Sequence, residues 1–273
     1  MKDLDSHLQK LYGIQTFKYK GALGHTYYVN SLADIISQEM ANPHVREKLS
    51  FYPEDCTAKN VSQARQFARW LNEVPDDQLG PMAHIHGEDY YIFEPCMLRS
   101  GQVYMPHRWF RRQGRFYAYC WKMEKVRRRE GKLTWCVVKG DGQIVVSEDE
   151  FLLSFPRLVK SIKDYPYLID VAQIEDVVDL STTPPKLEPW TSTDPCLGNP
   201  WRGRANGAQC LSFPIWLYCD DTSGNTSKRW NEHNSYLFTP AGLEREESSK
   251  EYNVHRAGSS YLKTLLTLTN GVS

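Results

Sequence analysis

The sequence lacks the features that would place it in a membrane or in the secretory pathway. It has no apolar run of about 18 residues, the length that a membrane-spanning helix requires. Its first six residues (MKDLDS) carry acids and no apolar stretch, so they do not read as a signal peptide. Its seven cysteines are scattered, and none forms a CxxC pair, which disfavours a disulfide framework or a cysteine zinc site. We therefore predict an intracellular protein, nuclear or cytoplasmic, with free thiols.

The sequence also lacks common catalytic motifs and a net charge. No GxSxG, P-loop or dinucleotide-binding glycine motif stands between a predicted strand and a helix, since the glycines at 203–207 follow no strand. No Ser-His-Asp arrangement is indicated. Lys+Arg and Asp+Glu both number 33, so no overall basic field attracts nucleic acid. Binding to nucleic acid would have to come from a local patch.

The residues that are present predict an α+β protein. Helical segments at 31–40 and 62–72 place a helical region at 1–80. Short aromatic and β-branched runs between 90 and 155, separated by glycine turns, predict an antiparallel barrel or sandwich over 81–179. The segment 149–155 reads as a short helix that caps an open end of this β domain. Prolines and glycines over 180–209 predict a linker, which leaves 210–273 as a further domain.

The leading catalytic candidate is the pair Asp220-Asp221. It ends the apolar run FPIWLYC and enters a turn of small polar residues, DDTSGN. A nuclease that uses two Mg²⁺ ions needs carboxylates from separate strands, and a strand tip is a suitable place for the first of them. The same residues also favour a solvated turn, so the sequence alone leaves both interpretations open.

A second candidate is the HxHxE pattern of His84, His86 and Glu88. On a single strand these side chains would share one face, because strand side chains alternate. Three such ligands could bind Zn²⁺ or Fe²⁺, although only His107 follows nearby as a possible fourth. The alternative is a polar strand that enters the β domain.

The third candidate is a basic stretch interleaved with aromatic residues, a composition that suits phosphate contacts and base stacking. The alternative is the charged outer side of a barrel. The basic residues are Arg108, Arg111, Arg112, Arg115, Lys122, Lys125, Arg127, Arg128 and Arg129.

Several long blocks of the sequence resemble transposon-encoded proteins that abound in mushroom-forming fungi. They include YYVNSLADIISQEMANP (27–43), ARWLNEVPDDQLGPM (68–82), YYIFEPCMLRSGQVYMPHRWF (90–110) and FPIWLYCDDTSGNTSKRWNEHNSYLFTPAGLERE (213–246). The DDTSGN block is similar to the start of the transposase domain of CACTA (En/Spm-type) elements. The resemblance implies an RNase H-like hairpin over 210–273, with Asp220 or Asp221 as the first ligand for Mg²⁺ or Mn²⁺ of a DDE/D-type site. It also implies that Asn225, Lys228, Trp230 and His233 shape the hairpin that follows.

The resemblance also implies that catalysis is lost. The family's AGLPRE run reads AGLERE here, and RAGSSYLKTLLTLTNGVS after His255 departs from the pattern, as in a frameshifted, mis-spliced or decayed copy. We therefore expect a truncated, inactive fragment of a transposase-like protein that needs no cofactor and keeps a β module able to bind DNA. The number of strands and the aromatic density of that module resemble SH3-like or BAH-like domains. The alternative is a separate module that binds chromatin, DNA or protein without catalysis.

Overall fold

The computed structural model describes residues 13–21, 24, 26–56, 62–127, 131–179, 181–184, 186–190, 199–223 and 232–260. The chain forms two compact units. Unit 1 combines residues 1–50 with 213–273, and unit 2 is the continuous segment 51–212. The α+β class is confirmed, with strands in the majority. None of the described helices is long and apolar enough to cross a membrane.

The first fifty residues contain two strands as well as the expected helix. The predicted helix at 31–40 is confirmed as α1, where the Ser31 hydroxyl caps the first turn by accepting from the Asp34 N–H at 3.2 Å. It ends at Asn42, because the following Pro43 disfavours helical geometry in the residue before it. The strands were not predicted. The elements are β1 (Thr16–Lys20), β2 (Thr26–Asn30), α1 (Leu32–Ala41) and α2 (Pro43–Arg46).

Unit 2 opens with short turns where a single helix was predicted. Residues 62–72 do not form one helix: a 3₁₀ turn (Ala64–Gln66) is followed by a π-helical turn (Arg69–Glu73). The Gln66 side-chain oxygen accepts from the N–H groups of Ser62 and Gln63, both at 3.2 Å. Such side-chain bonds compete with helix propagation, and Phe67 leaves the turn in an extended conformation. The predicted helix at 62–72 is therefore wrong.

The main sheet of unit 2 has seven strands in the order β11-β10-β8-β7-β6-β5-β9. Within the described residues it does not close, since β11 and β9 form its ends, so the predicted barrel is wrong. Neighbouring strands within this sheet are antiparallel, except that β10 runs parallel to β8. A separate hairpin joins β3 to β4. The elements are β3 (Met82–Ile85), β4 (Glu88–Tyr91), β5 (Cys96–Leu98), β6 (Val103–Arg112), β7 (Arg115–Arg127), β8 (Leu133–Ser147), β9 (Phe151–Leu153), α3 (Phe155–Lys160), β10 (Ile174–Asp179) and β11 (Lys186–Pro189).

Two local differences from the prediction concern residues 148–153 and the middle of β8. The predicted helix at 149–155 is a 3₁₀ turn (Glu148–Glu150) and then β9, which pairs with β5. Strand β8 continues through the predicted glycine turn, and its pairing with β7 jumps from Val138 to Gln143. The intervening residues 139–142 form a bulge, which Gly140 makes possible with a φ of 80°.

Two apolar clusters build the core of unit 2. Successive residues of β7 contribute to different clusters, as strand alternation requires: Cys120 packs in the first and Trp121 in the second. The first cluster is centred on Trp109 and Phe151, both at most 2% exposed. The second is centred on Met105 and Leu168, neither of which is exposed. Unit 2 therefore buries a substantial core of its own.

The predicted linker over 180–209 contains regular structure that belongs to unit 2. It supplies the edge strand β11 and helix α4 (Pro200–Ala205). Asn199 is 5% exposed, caps α4 by accepting from the Trp201 N–H, and donates to the Ile92 carbonyl at 3.0 Å. Ser212 donates to the Leu79 carbonyl at 2.7 Å. Residues 199–212 are therefore packed on the domain rather than separate from it.

The remaining elements complete unit 1. Its sheet has the order β1-β2-β14-β13-β12, and every pairing is antiparallel. The Ser50 N–H donates to the Gly242 carbonyl at 2.9 Å, an approach so close that a Cβ at position 242 would lie 2.0 Å from the Ser50 oxygen. The elements are β12 (Ile215–Ser223), β13 (Glu232–Pro240), α5 (Arg245–Ser248) and β14 (His255–Ser260).

Candidate functional site

The HxHxE pattern does not present its three residues on one strand. His86 and Gly87, with φ of 50° and 80°, form the two-residue turn between β3 and β4. His84 stands opposite Asp89, whereas Glu88 stands opposite Ile85 and so lies on the other face of the hairpin. The predicted arrangement is therefore wrong, because a turn replaces the single strand.

The side chains of this hairpin already have partners. His84 Nδ1 lies 2.7 Å from Asp89 Oδ1. Glu88 accepts from the Ser154 N–H and pairs with Arg157. Burial would raise the pKa of Glu88, but these bonds outweigh it and lower the pKa. The hairpin thus uses its polar residues to hold β3 and β4 against neighbouring elements.

Asp220 and Asp221 lie within β12 rather than in a loop after it. They pair with Ser235 and Asn234 of β13, respectively. Consecutive strand positions belong to opposite faces of a sheet, so a site on either face could include only one of these positions. Their side chains lie outside the described part of the structure, as do residues 224–231, including Asn225, Lys228 and Trp230, and the side chain of His233.

No metal centre is assembled in the described residues, where no group of three or more His, Cys, Asp or Glu side chains could hold an ion. A two-metal site needs carboxylates from separate strands. Cys96, Cys120, Cys210 and Cys219 are free thiols, and Cys196 lies outside the described segments.

Four residues of the basic stretch are held by contacts within unit 2. The Arg108 guanidinium donates to Asp76 at 2.6 Å and to the carbonyls of Leu71 and Val74. The other three pairs are Arg112 with Asp55 at 2.7 Å, Arg115 with Glu148 and Asp149, and Lys122 with Glu124. These four positive charges are largely balanced by acids of the same unit.

The rest of the basic stretch is arranged differently. Arg111 is exposed, with its guanidinium 4.5 Å from the Phe116 ring centre. Lys125 and Arg127 are exposed near the end of β7, and neither forms an ion pair with any described residue. The Lys125 ammonium lies 5.3 Å from the Trp135 ring centre. Arg128 and Arg129 lie outside the described residues.

The structure also brings together three aromatic rings that are far apart in the sequence. Phe93, Trp121 and Trp190, here called the aromatic corner, have ring centres 6.0, 6.1 and 6.2 Å apart. Phe93 and Trp121 are nearly parallel, at 15°, while Trp190 stands at 73° and 84° to them. Parallel rings with centres 6.0 Å apart cannot lie side by side in one plane, so Phe93 and Trp121 are stacked with an offset, and Trp190 contacts both at a steep angle. Phe93 and Trp190 are partly exposed.

Within the aromatic corner, Trp121 is also packed against a polar network of the fold. The His107 ring stacks on Trp121 with centres 4.1 Å apart, and its Nδ1 lies 2.9 Å from Asp76. Burial would raise the pKa of Asp76, but the bonds from His107 and Arg108 outweigh it and lower the pKa. The ammonium of Lys139, in the β8 bulge, lies 4.8 Å from the Trp121 ring centre.

Phe93 itself has an unusual backbone. Its φ of 63° lies in the left-handed region, which is rare for a bulky residue. The neighbouring residues hold it there: Asn199 bonds the Ile92 carbonyl, and Arg202 binds both oxygens of Glu94, at 2.9 and 2.7 Å. Glu94 is 3% exposed, and burial raises its pKa despite the arginine. Sequence patterns could not have indicated the aromatic corner, because no spacing relates its members.

Comparison with known proteins adds one match. Residues 82–211 match the model of a family described as Domain of unknown function (DUF8591). No curated protein and no solved structure matches the chain. The matched range covers the strands of unit 2 from β3 to β11 and extends through α4. This part of the chain is similar to that family.

Proposed function

We propose that unit 2 is a non-catalytic module that binds nucleic acid, in a protein related to transposases. The contact is the end of the β7–β8 pair at which β7 finishes and β8 begins, here called the basic hairpin (residues 125–127 and 131–133). The observation that carries this proposal is the unequal use of the basic residues. Arg108, Arg112 and Arg115 are bound to acids of the unit, whereas Lys125 and Arg127 are exposed without an ion pair to a described residue.

The shape of the basic hairpin supports a nucleic-acid partner. It is a two-stranded antiparallel ribbon, in which Val126 pairs with Thr134 and Arg127 with Leu133. A two-stranded ribbon fits the major groove of duplex DNA, and exposed cationic side chains bind its phosphates. The net charge of zero is compatible with such a local contact. A relationship of unit 2 to SH3-like or BAH-like domains, and a nuclear or cytoplasmic location, remain part of the proposal.

Salt-dependent binding tests this function. Fluorescence anisotropy of a labelled DNA duplex should show binding at low salt that weakens as salt rises. Each phosphate contact contributes about 0.9 to the slope of log affinity against log salt, so replacing both Lys125 and Arg127 by serine should reduce the slope by about 2.

The matched control is the double variant Arg112→Ser and Arg115→Ser, which also removes two positive charges, from residues paired with Asp55 and with Glu148 and Asp149. It should leave the slope within about 0.5 of the wild type, because these charges are already balanced. Absence of DNA and RNA binding at low salt, or an equal loss in both variants, would contradict the proposal. Binding that ignores salt but selects a protein partner would favour the alternative of a chromatin-protein or other protein-binding module.

A second proposal concerns unit 1. We propose that it carries the first strands of an RNase H-like domain without nuclease activity. Three consecutive strands, β12, β13 and β14, pair antiparallel in sequence order, as the start of such a domain would. The expected first carboxylate position, 220 or 221, lies on the first of them. Because the two positions belong to opposite faces, each face offers one acidic position from this strand.

Strand cleavage provides the test of the second proposal. The purified chain, incubated with supercoiled and linear DNA in Mg²⁺ or Mn²⁺, should cut neither substrate. The Asp220→Ala and Asp221→Ala variants should behave like the wild type. Metal-dependent cleavage that either substitution abolishes would show an active site and refute the proposal.

A further inference from the structure

We propose that the basic hairpin selects thymine-containing duplex DNA, because Leu133 contacts thymine methyl groups in the major groove. The inference rests on the proposed function, since it names the kind of duplex that the same surface prefers. Two observations carry it: the side chains that one face of the basic hairpin brings together, and the exposure of a leucine among them.

The register of β7 with β8 places two cations and a leucine on one face. Arg127 pairs with Leu133 and Lys125 with Trp135, and paired residues of antiparallel strands project to the same side of the sheet. Residues two apart in a strand also share a face, so all four side chains lie together. The position of the Lys125 ammonium, 5.3 Å from the Trp135 ring centre, agrees with this placement.

The outer part of this face is open to solvent. Trp135 is 5% exposed, and its indole N–H donates to the Ile169 carbonyl at 3.0 Å, so the inner part of the face is covered. Leu133 lies two residues nearer the end of the β7–β8 pair and is 48% exposed. A single exposed leucine is common on protein surfaces, but this one is paired with Arg127, an exposed cation.

Charge favours this face over the opposite one for a contact with DNA. The opposite face carries Glu124, an exposed acid, and a carboxylate repels phosphates. Lys125 and Arg127 share the face of Leu133, and neither forms an ion pair with a described residue. Both are therefore available to the phosphates that border the groove. When they bind those phosphates, Leu133 faces the edges of the base pairs.

Leucine has a single suitable partner in the major groove. Every base-pair edge there presents hydrogen-bond donors and acceptors, and thymine alone adds a methyl group. Contact between leucine and that methyl removes apolar surface of both from water, and burial of one carbon corresponds to about a fourfold gain in affinity. RNA lacks the methyl, and its narrow major groove excludes a ribbon, so the surface also selects DNA over RNA.

Replacement of thymine by uracil tests the proposal without altering the protein. Fluorescence anisotropy compares a labelled duplex of alternating adenine and thymine with the same duplex made with deoxyuridine, which lacks only the methyl groups. The full chain should bind the thymine duplex at least about fourfold more tightly at the same salt concentration. The slope of log affinity against log salt should be equal for the two duplexes, because their phosphates are identical.

Two variants assign the preference to Leu133. Leu133→Ser should bind the two duplexes with affinities that agree within about 1.5-fold, and it should keep the slope, since Lys125 and Arg127 are unchanged. Leu187→Ser alters a leucine of β11 that is 54% exposed, and as the matched control it should retain the thymine preference. Far-ultraviolet circular dichroism verifies that both variants are folded.

The outcomes distinguish failure of this inference from failure of the proposed function. If the full chain binds both duplexes with the expected slope and equal affinity, the inference is wrong and nucleic-acid binding stands. A thymine preference that persists in Leu133→Ser, or that Leu187→Ser loses to the same extent, also overturns the inference. If neither duplex binds at low salt, the inference and the proposed function both fail.

Discussion

The two units use similar residues in contrasting environments. In unit 2, Trp109 and Phe110 are completely buried within a sheet that carries apolar clusters built from alternate strand positions. In unit 1, the edge strand β12 exposes Trp216, Leu217 and Tyr218 by 37, 48 and 39%. These three residues are consecutive, so both faces of that edge are exposed. Unit 2 therefore has a sealed apolar core, whereas the described edge of unit 1 presents large apolar side chains to solvent.

The same contrast applies to charge. Unit 2 holds several cations in fixed geometry, and one buried pair, Glu94 with Arg202, positions the aromatic corner. In unit 1 the main described cluster of charges joins Glu247 to Lys48 and Lys250, which are both about half exposed. Ion pairs that are buried within the fold should contribute more to stability than exposed ion pairs, which water and salt screen.

The largest expected effect compares two tryptophans. Trp109→Ala should lower the free energy of unfolding by about 3–5 kcal/mol, because it leaves a large cavity in a completely buried place. Trp216→Ala, on the exposed edge of unit 1, should cost no more than about 1 kcal/mol. Urea unfolding followed by circular dichroism measures both. Equal losses would show that the edge of unit 1 is packed as tightly as the core of unit 2.

The next effect concerns the charge pair that flanks Phe93. Arg202→Ala should destabilise unit 2 by about 3 kcal/mol, because it leaves the Glu94 carboxylate buried without its partner. Urea unfolding measures the loss.

Two controls separate this charge effect from a general loss of helix α4. Arg204→Ala alters the same helix at an exposed arginine that contacts the Trp201 ring, and it should cost no more than about 0.5 kcal/mol. Adding Glu94→Gln to Arg202→Ala should recover part of the stability, since a neutral amide is cheaper to bury than a charge. If the double variant is no more stable than Arg202→Ala, the buried carboxylate is not the cause.

The fold was predictable where local rules decide it. Helix α1 followed from the helical spacing of its apolar residues and from the Asn42-Pro43 pair after it, and the strand-rich texture from 90 onward correctly indicated sheets. Local rules did not decide residues 62–72, where the Gln66 side chain replaces helical bonds with a tight turn. Nor did composition reveal that residues 199–212 are anchored to unit 2, because that depends on single contacts such as Asn199 with Ile92.

The candidate sites were less predictable, because they depend on register. Spacing alone could not show that Gly87 turns the HxHxE pattern into a hairpin. Interleaved basic and aromatic residues led to the prediction of a nucleic-acid-binding stretch, but only the fold shows that Arg108 faces Asp76 while Arg127 reaches solvent. The aromatic corner needs the bulge in β8 and the left-handed Phe93, and neither has a sequence signature.

The smallest expected effect is a difference in how acid and salt act on the two units. Hydrogen bonds from Lys250, Lys48 and Tyr252 lower the pKa of Glu247 from 4.5 to about 2. In unit 2, burial would raise the pKa of Asp76, but the bonds from His107 and Arg108 hold it below 3.8. A carboxyl whose pKa is lower in the folded state stabilises the fold above its unfolded pKa, and this contribution fades as pH falls toward the folded pKa.

Urea unfolding as a function of pH, with and without about 1 M NaCl, tests this difference. The difference in unfolding free energy between wild type and Glu247→Gln should disappear as pH falls from 4.5 to about 2. Added salt should reduce this difference at neutral pH, because Lys48 and Lys250 are exposed. The gap between wild type and Asp76→Asn should close only below about pH 3.8 and persist in salt, since Arg108 and His107 are largely buried. If salt narrows both differences in unfolding free energy equally, the ion pairs of Asp76 are as accessible to water as those of Glu247. In that case the contrast between the sealed core of unit 2 and the exposed edge of unit 1 does not extend to their charges.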